Sequence, residues 1–194
     1  MTHPYSINLR ERQVVYFVLA ALSFGASLLI GWVFALLRWT PPSWVDIPGA
    51  FTIFGLLSWW FDKQIWRWPV IRSIGITTPV LDGEWSGTTR SSFDDFREEH
   101  SVSVAIHQRW TTMSIVLTTG QSRSHSTTAA ISMGSDPLLI YSFTNQPEVG
   151  ATGTMHIHTG TAILQISQEK LVGDYYSGRD RQNIGRIALQ RQTA

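Results

Sequence analysis

The side chains with most chemistry to offer gather late in the chain. Residues 170–191 read Lys-Leu-Val-Gly-Asp-Tyr-Tyr-Ser-Gly-Arg-Asp-Arg-Gln-Asn-Ile-Gly-Arg-Ile-Ala-Leu-Gln-Arg, with Arg179 and Arg181 just after the tyrosines. Arg90 and Arg97 flank Phe93 and Phe96, Arg123 follows Gly120-Gln121-Ser122, and Tyr141 sits in an apolar run. A guanidinium pairs a phosphate bidentately, and a tyrosine ring stacks on a base. Such a set suits a planar, anionic ligand, and its candidate contacts are Tyr175, Arg179, Arg181, Arg90, Tyr141 and Arg123. Ordinary loop arginines, paired with Asp180, Asp94 and Asp95, are the open alternative.

Catalytic chemistry finds little support. The chain has no cysteine, which excludes disulfides, thiolate catalysis and Cys-ligated metals. It lacks a Gly-x-Ser-x-Gly elbow, a P-loop and a His-Glu-x-x-His pair. His156 and His158 share one face of an extended run, but a metal would also need His107 and His125 to converge there. Asp94-Asp95 and Glu98-Glu99 around Phe96 read as a solvated lid. No metal, cofactor or enzymatic activity is expected.

The elements that must position these groups divide the chain in two. Of the nine tryptophans, seven lie in residues 1–78, which carry a net charge of +3, and residues 79–194 carry −2. This reads as a membrane module, 1–78, followed by a soluble domain, 79–194. The soluble part lacks the basic balance of a general DNA or RNA binder. Val14 to Leu37 is a run of 24 residues without a charge. At about 1.5 Å per residue it spans roughly 36 Å, enough to cross a hydrocarbon core of about 30 Å. A second apolar run, 44–61, follows Pro41-Pro42, and together they predict a two-helix transmembrane hairpin, with an interfacial or re-entrant second segment as the open alternative. Arg10 and Arg12 precede it and Lys63, Arg67 and Arg72 follow it, so both ends are expected in the cytoplasm. Ser23, Ser27 and Gly31 recur every fourth residue, a spacing that lets helix backbones approach closely, within the hairpin or between copies.

Beyond Pro79 the apolar period becomes two, as in Val102-Val104-Ile106 and Ala162-Leu164-Ile166. Strands are predicted over about 83–90, 99–108, 110–119, 122–133, 138–144, 154–167, 170–177 and 183–191. Eight short strands with short turns suggest an antiparallel up-and-down barrel or a sandwich. Closure removes exposed edges, which favours the barrel. In the last hairpin, pairing Ser177 with Asn183 sets Leu171 opposite Leu189, Gly173 opposite Ile187 and Tyr175 opposite Gly185, all inward. Gly185 then leaves room for the Tyr175 ring. Arg191 would end beside Trp85, its guanidinium stacked on the indole to seal the floor. The arginine-bearing loops would gather at the opposite mouth, facing the cytosol.

Gly83-Glu84-Trp85 resembles the Gly-x-Trp that opens the lipocalins. A closer resemblance rests on two N-terminal transmembrane helices, Leu81-Asp-Gly-Glu-Trp-Ser-Gly87, and Gly-x-Tyr-Tyr-x-Gly-Arg-x-Arg…Gly-Arg-Ile-x-Leu-x-Arg over 173–191. These features look like the two-transmembrane, β-strand-rich effectors of bacterial CBASS antiphage defence, partnered with CD-NTase cyclic-nucleotide synthases. The resemblance implies a cytosolic eight-stranded barrel that binds a cyclic oligonucleotide, then homo-oligomerisation and disruption of the inner membrane. Two rivals are a lipocalin-like barrel carrying a lipid and a membrane-tethered scaffold with a filled interior.

Overall fold

The structure, a computed structural model, describes residues 2–39, 46–148, 156–178 and 182–192. The alternation after Pro79 resolves into strands β2 (Gly83–Ser91), β3 (His100–Gln108), β4 (Thr112–Thr118), β5 (Ser122–Ser132), β6 (Leu138–Pro147), β7 (His158–Ser167), β8 (Lys170–Ser177) and β9 (Ile184–Arg191). They form an antiparallel meander, and β9 returns to β2 with Trp85 opposite Arg191, closing the barrel. The last hairpin has the register expected of it, with Leu171, Gly173 and Tyr175 opposite Leu189, Ile187 and Gly185.

Two features correct the expected eight-stranded antiparallel barrel. Among the described residues the barrel has nine strands, because β1 (His3–Ser6) joins it from before the helices, and the sheet is mixed. β1 runs antiparallel to β4, His3 opposite Met113, and parallel to β5, Tyr5 opposite Ala129. It is needed because β4 and β5 pair directly only from Val116–Thr118 to Arg123–His125. Below that the two strands splay, and a register shift between Ser126 and Thr128 marks the place on β5. Ser126 fastens the junction. Its hydroxyl accepts from the Ile115 backbone N–H at 2.9 Å and hydrogen-bonds His3 Nε2 at 2.7 Å. Residues up to Asn8 thus belong with Thr78–Ala194 in one compact unit, and Leu9–Thr77 forms the other.

One end of the barrel interior is filled. Trp85 is fully buried, with Leu81, Ile106, Ile115, Leu164 and Leu171 among its apolar companions in the core. The Trp85 indole N–H donates to the Leu81 carbonyl at 3.0 Å, and the Arg191 guanidinium lies over the ring, 4.8 Å from its centroid. Arg191 also donates to the Val80 carbonyl and pairs with Glu169 at 3.2 Å. Buried Gln108 completes this end. Its side chain accepts from the Leu81 N–H at 2.7 Å and donates to the Tyr5 hydroxyl and the Pro79 carbonyl, each at 3.1 Å. A buried amide is tolerated because both of its ends are satisfied.

In the other unit, α1 (Leu9–Leu36) and α2 (Asp46–Lys63) pack on each other. At about 1.5 Å per residue α1 is roughly 42 Å long. It stops where Arg38 takes a left-handed φ of 54°. There the Trp39 N–H reaches back to the Phe34 carbonyl at 3.0 Å, and the two rings meet edge-on at 4.6 Å. This is the capping geometry usually given to glycine, with an aromatic contact in support. Glu11, Leu19 and Ser23 are buried on one stripe of α1, while Phe17, Phe24, Trp32 and Leu36 stand exposed. Glu11 accepts from the Thr77 hydroxyl at 2.6 Å, and the Ser23 hydroxyl donates to the Leu19 carbonyl at 2.6 Å. Ser27 and Gly31 are half-buried, and a Cβ added at Gly31 would meet nothing within 4 Å. Among the described residues α1 alone is long and apolar enough to cross a membrane, so the expected pair of such helices becomes one. α2 has only 18 residues, and Trp59, Trp60, Asp62 and Lys63 dilute its apolar character.

Candidate ligand-binding cavity

Above the filled floor the barrel opens into a cavity of about 930 Å³. Its shape comes from alternating large and small side chains around the wall. Tyr141 on β6 stands opposite Ala162 on β7, which stands opposite Tyr175 on β8, which stands opposite Gly185 on β9. A Cβ at Gly185 would collide with the Tyr175 ring, and one at Gly160 would collide with the Phe143 ring. Each glycine is a notch that lets an aromatic ring lie back against the sheet, keeping the centre empty. Phe143 and Tyr141 meet at 6.1 Å between centroids, tilted by 51°.

The lining changes character from bottom to top. Ile187, Leu117 and Ala162 are apolar; Ser122, Ser124, Asn145 and Ser177 bring hydroxyl and amide groups. The mouth is acidic, with Asp94, Glu98 and Glu99. The loop after β2 builds this rim. Ser91 caps a short turn by accepting from the Phe93 N–H at 3.1 Å, and Asp95 and Phe96 turn the chain with φ of 55° and 60°. Ser92 ties the loop to β9 by accepting from the Ile184 N–H at 3.0 Å. Asp94 meets His100 at 3.2 Å, and potential ligand atoms of Asp94, Glu98 and His100 lie within 4.8 Å of one another. The acidic run expected to be a solvated lid therefore contributes directly to the cavity wall.

Tyr141 and Tyr175 both line the cavity. Burial pushes the Tyr141 phenol pKa well above its ordinary value, so the ring presents a neutral O–H. Arg90 and Arg123 do not line it. Arg90 is exposed and pairs with Glu99 at 3.7 Å; Arg123 is exposed and pairs with Glu148 at 3.8 Å. Glu99 titrates below the usual carboxylate range, first because the Thr88 hydroxyl donates to it and then because Arg90 is near. Arg97 pairs with Asp95 at 3.5 Å. Arg179 and Arg181 lie outside the described residues. Of the histidines weighed for a metal, His158 lines the cavity, its Nδ1 donating to the His156 carbonyl at 2.9 Å; His107 and His125 do not join it.

Sequence reasoning passed over Ser124 and Asn145. β6 continues past residue 144, so Tyr141, Phe143 and Asn145 share its inner face. The Ser124 hydroxyl donates to Asn145 Oδ1 at 2.8 Å, across paired positions on β5 and β6.

Comparison with known proteins relates the chain to one family in particular. The family model described as Cap15, cyclic dinucleotide receptor domain, matches residues 76–191. CD-NTase-associated protein 15 of Staphylococcus schleiferi is 25% identical over 139 residues, which cover 71% of this chain and 75% of that protein.

Proposed function

The chain belongs to the family of Cap15 cyclic dinucleotide receptor domains, and on that premise we propose that its barrel is the sensing half of a membrane effector in CBASS antiphage defence. The ligand is a cyclic dinucleotide made by a CD-NTase synthase. The observation that carries this reading is the cavity of about 930 Å³, walled by hydroxyls, an amide and aromatic rings. It lies at the upper end of the range for small-molecule pockets, about 300–1,000 Å³. Bases stack on Tyr175 and Phe143, and Arg179 and Arg181 meet the phosphates. The lipid-carrying alternative fits less well, since hydroxyl and amide groups from Ser122, Ser124, Asn145 and Ser177 interrupt the apolar lining of the cavity. The module binds and signals; it carries out no reaction.

The output is assigned to the helices. Ligand binding favours homo-oligomerisation, and the assembled helices breach the inner membrane. Ser23, Ser27 and Gly31 are the packing stripe of α1. A membrane arrangement follows from connectivity. β1 precedes α1 and the remaining strands follow α2, yet all belong to one sheet. This supports a reading in which the two flanks of the helical unit share one side of a bilayer and a chain that leaves through α1 returns before Thr78. α2 is the segment for that return, at roughly 27 Å if 18 residues rise about 1.5 Å each. The basic flanks put both flanks in the cytosol.

The test is calorimetric titration of the full chain in detergent micelles with cyclic di- and trinucleotides, using linear dinucleotides as controls. At least one cyclic dinucleotide is expected to bind at micromolar affinity or better. If the whole panel gives no heat of binding, the sensing function fails.

A further inference from the structure

The polar groups that line the cavity divide into those already satisfied and those left over. Ser122 bonds within its own turn with Thr119, Ser91 caps the rim loop, and Asp94 meets His100. Among those at most a few per cent exposed, two keep capacity to spare. Asn145 is only 4% exposed; its Oδ1 accepts from Ser124, and no described residue accepts from its Nδ2. Tyr141 is also 4% exposed, and its hydroxyl has no hydrogen-bond partner among the described residues. Both face the cavity, so whatever occupies it, water or ligand, supplies the missing partner.

In the structure the Ser124 hydroxyl donates to Oδ1, which leaves the Nδ2 end of the amide for the interior. With Oδ1 turned to the β5 wall, Asn145 offers the interior a pair of N–H donors. Asparagine reads adenine through Oδ1 and Nδ2 together, donor to N7 and acceptor from N6. A pair of donors alone matches a base that presents carbonyl oxygen, such as uracil or guanine. We propose that Asn145, positioned by Ser124, selects cyclic dinucleotides carrying at least one carbonyl-bearing base over the all-adenine ligand. Tyr141 lies on the same face of β6, four residues away, or about 13 Å at roughly 3.3 Å per residue. It gives a second neutral contact deeper in the barrel, and Phe143 supplies a stacking surface between the two. This rests on the cyclic dinucleotide reading above and adds the chemistry of the preferred base.

The experiment measures affinities of the full chain in micelles for the cyclic dinucleotides of two adenines, two guanines, two uracils, and one uracil with one adenine. A carbonyl-bearing ligand is expected to bind tenfold or more tightly than the all-adenine one. Asn145→Leu removes the donors and is expected to bring that ratio close to one. Ser124→Ala frees the amide to rotate and lowers the ratio too, a change in selectivity that a merely structural role would not produce. All-adenine ligand binding as tightly as the best of the others in the wild type, or a ratio that survives both variants, overturns the proposal. The wild-type ranking and Ser124→Ala decide the matter even if Asn145→Leu fails to fold. Binding of every ligand without discrimination sinks this inference alone; binding of none sinks the sensing function beneath it.

Discussion

Replacing Gly185 with alanine tests whether the cavity is shaped by notches in its wall. The added methyl would fall within the van der Waals envelope of the Tyr175 ring. The ring must retreat by roughly 1.5 Å to recover an ordinary carbon–carbon separation of about 3.5–4.0 Å, and the way open to it is into the cavity. Overpacking of this kind costs about 1–3 kcal/mol. Removing a strand glycine returns about 0.5–1 kcal/mol of backbone entropy. Gly185→Ala is therefore expected to destabilise the barrel by about 1 kcal/mol net. In a Tyr175→Ala background the obstacle is gone, and the same substitution is expected to be neutral or mildly stabilising. The coupling in this double-mutant cycle is the overpacking cost itself, about 1–3 kcal/mol. Hydrogen-exchange protection of the β8 and β9 amides in the micelle-bound chain reads these differences. Ligand affinity of Gly185→Ala is expected to drop in parallel, since the displaced ring occupies ligand space. A coupling below about 0.5 kcal/mol would refute the notch argument, because additivity within that margin is the behaviour of independent sites, not of residues in contact.

Arg191→Lys keeps the charge but loses the planar stack on Trp85 and the fork that reaches Val80 and Glu169, so a loss of about 1–2 kcal/mol is expected in denaturant unfolding. Glu99, with its folded pKa depressed, contributes stability above its unfolded pKa that is lost as pH falls through the folded value. Thr88→Val is expected to raise the Glu99 titration point more than Arg90→Gln does, which carboxyl NMR would show. The absence of cysteine permits single-cysteine mapping. In right-side-out vesicles an impermeant maleimide is expected to label Arg38→Cys and to spare Thr2→Cys and Gln192→Cys.

Much of the barrel was legible because its signals are local. Alternation marked the eight later strands, and small residues facing Tyr175 fixed the register of the final hairpin. Trp85 and Arg191 were paired by that same register. β1 was hidden for a physical reason: four residues containing a proline show no period, and their partners lie far away in sequence. α2 passed on length but not on composition, where its tryptophans and charges weigh against its apolar residues. The outward direction of Arg90 and Arg123 was readable yet overlooked. Arg90 stands between Thr89 and Ser91, and Arg123 between Ser122 and Ser124; all four neighbours line the cavity. Strand parity alone sends both arginines to the other face. Asn145 was misread as the start of a loop because proline at 147 and glycine at 150 follow it so closely. A strand can tolerate a proline at its end, and β6 runs up to Pro147.

The placement of β1 has a consequence for the order of events on the ribosome. His3 is synthesised long before Ser126, from which it is separated by 123 residues. The helices emerge in between, so the first strand must wait while they are made. Until it docks, β4 and β5 expose unpaired backbone along their seam, an edge that any free strand can extend. Contacts of such long sequence separation form slowly. Each newly made chain therefore passes through an interval in which its barrel is open, and the strand that closes it is made before every strand it joins.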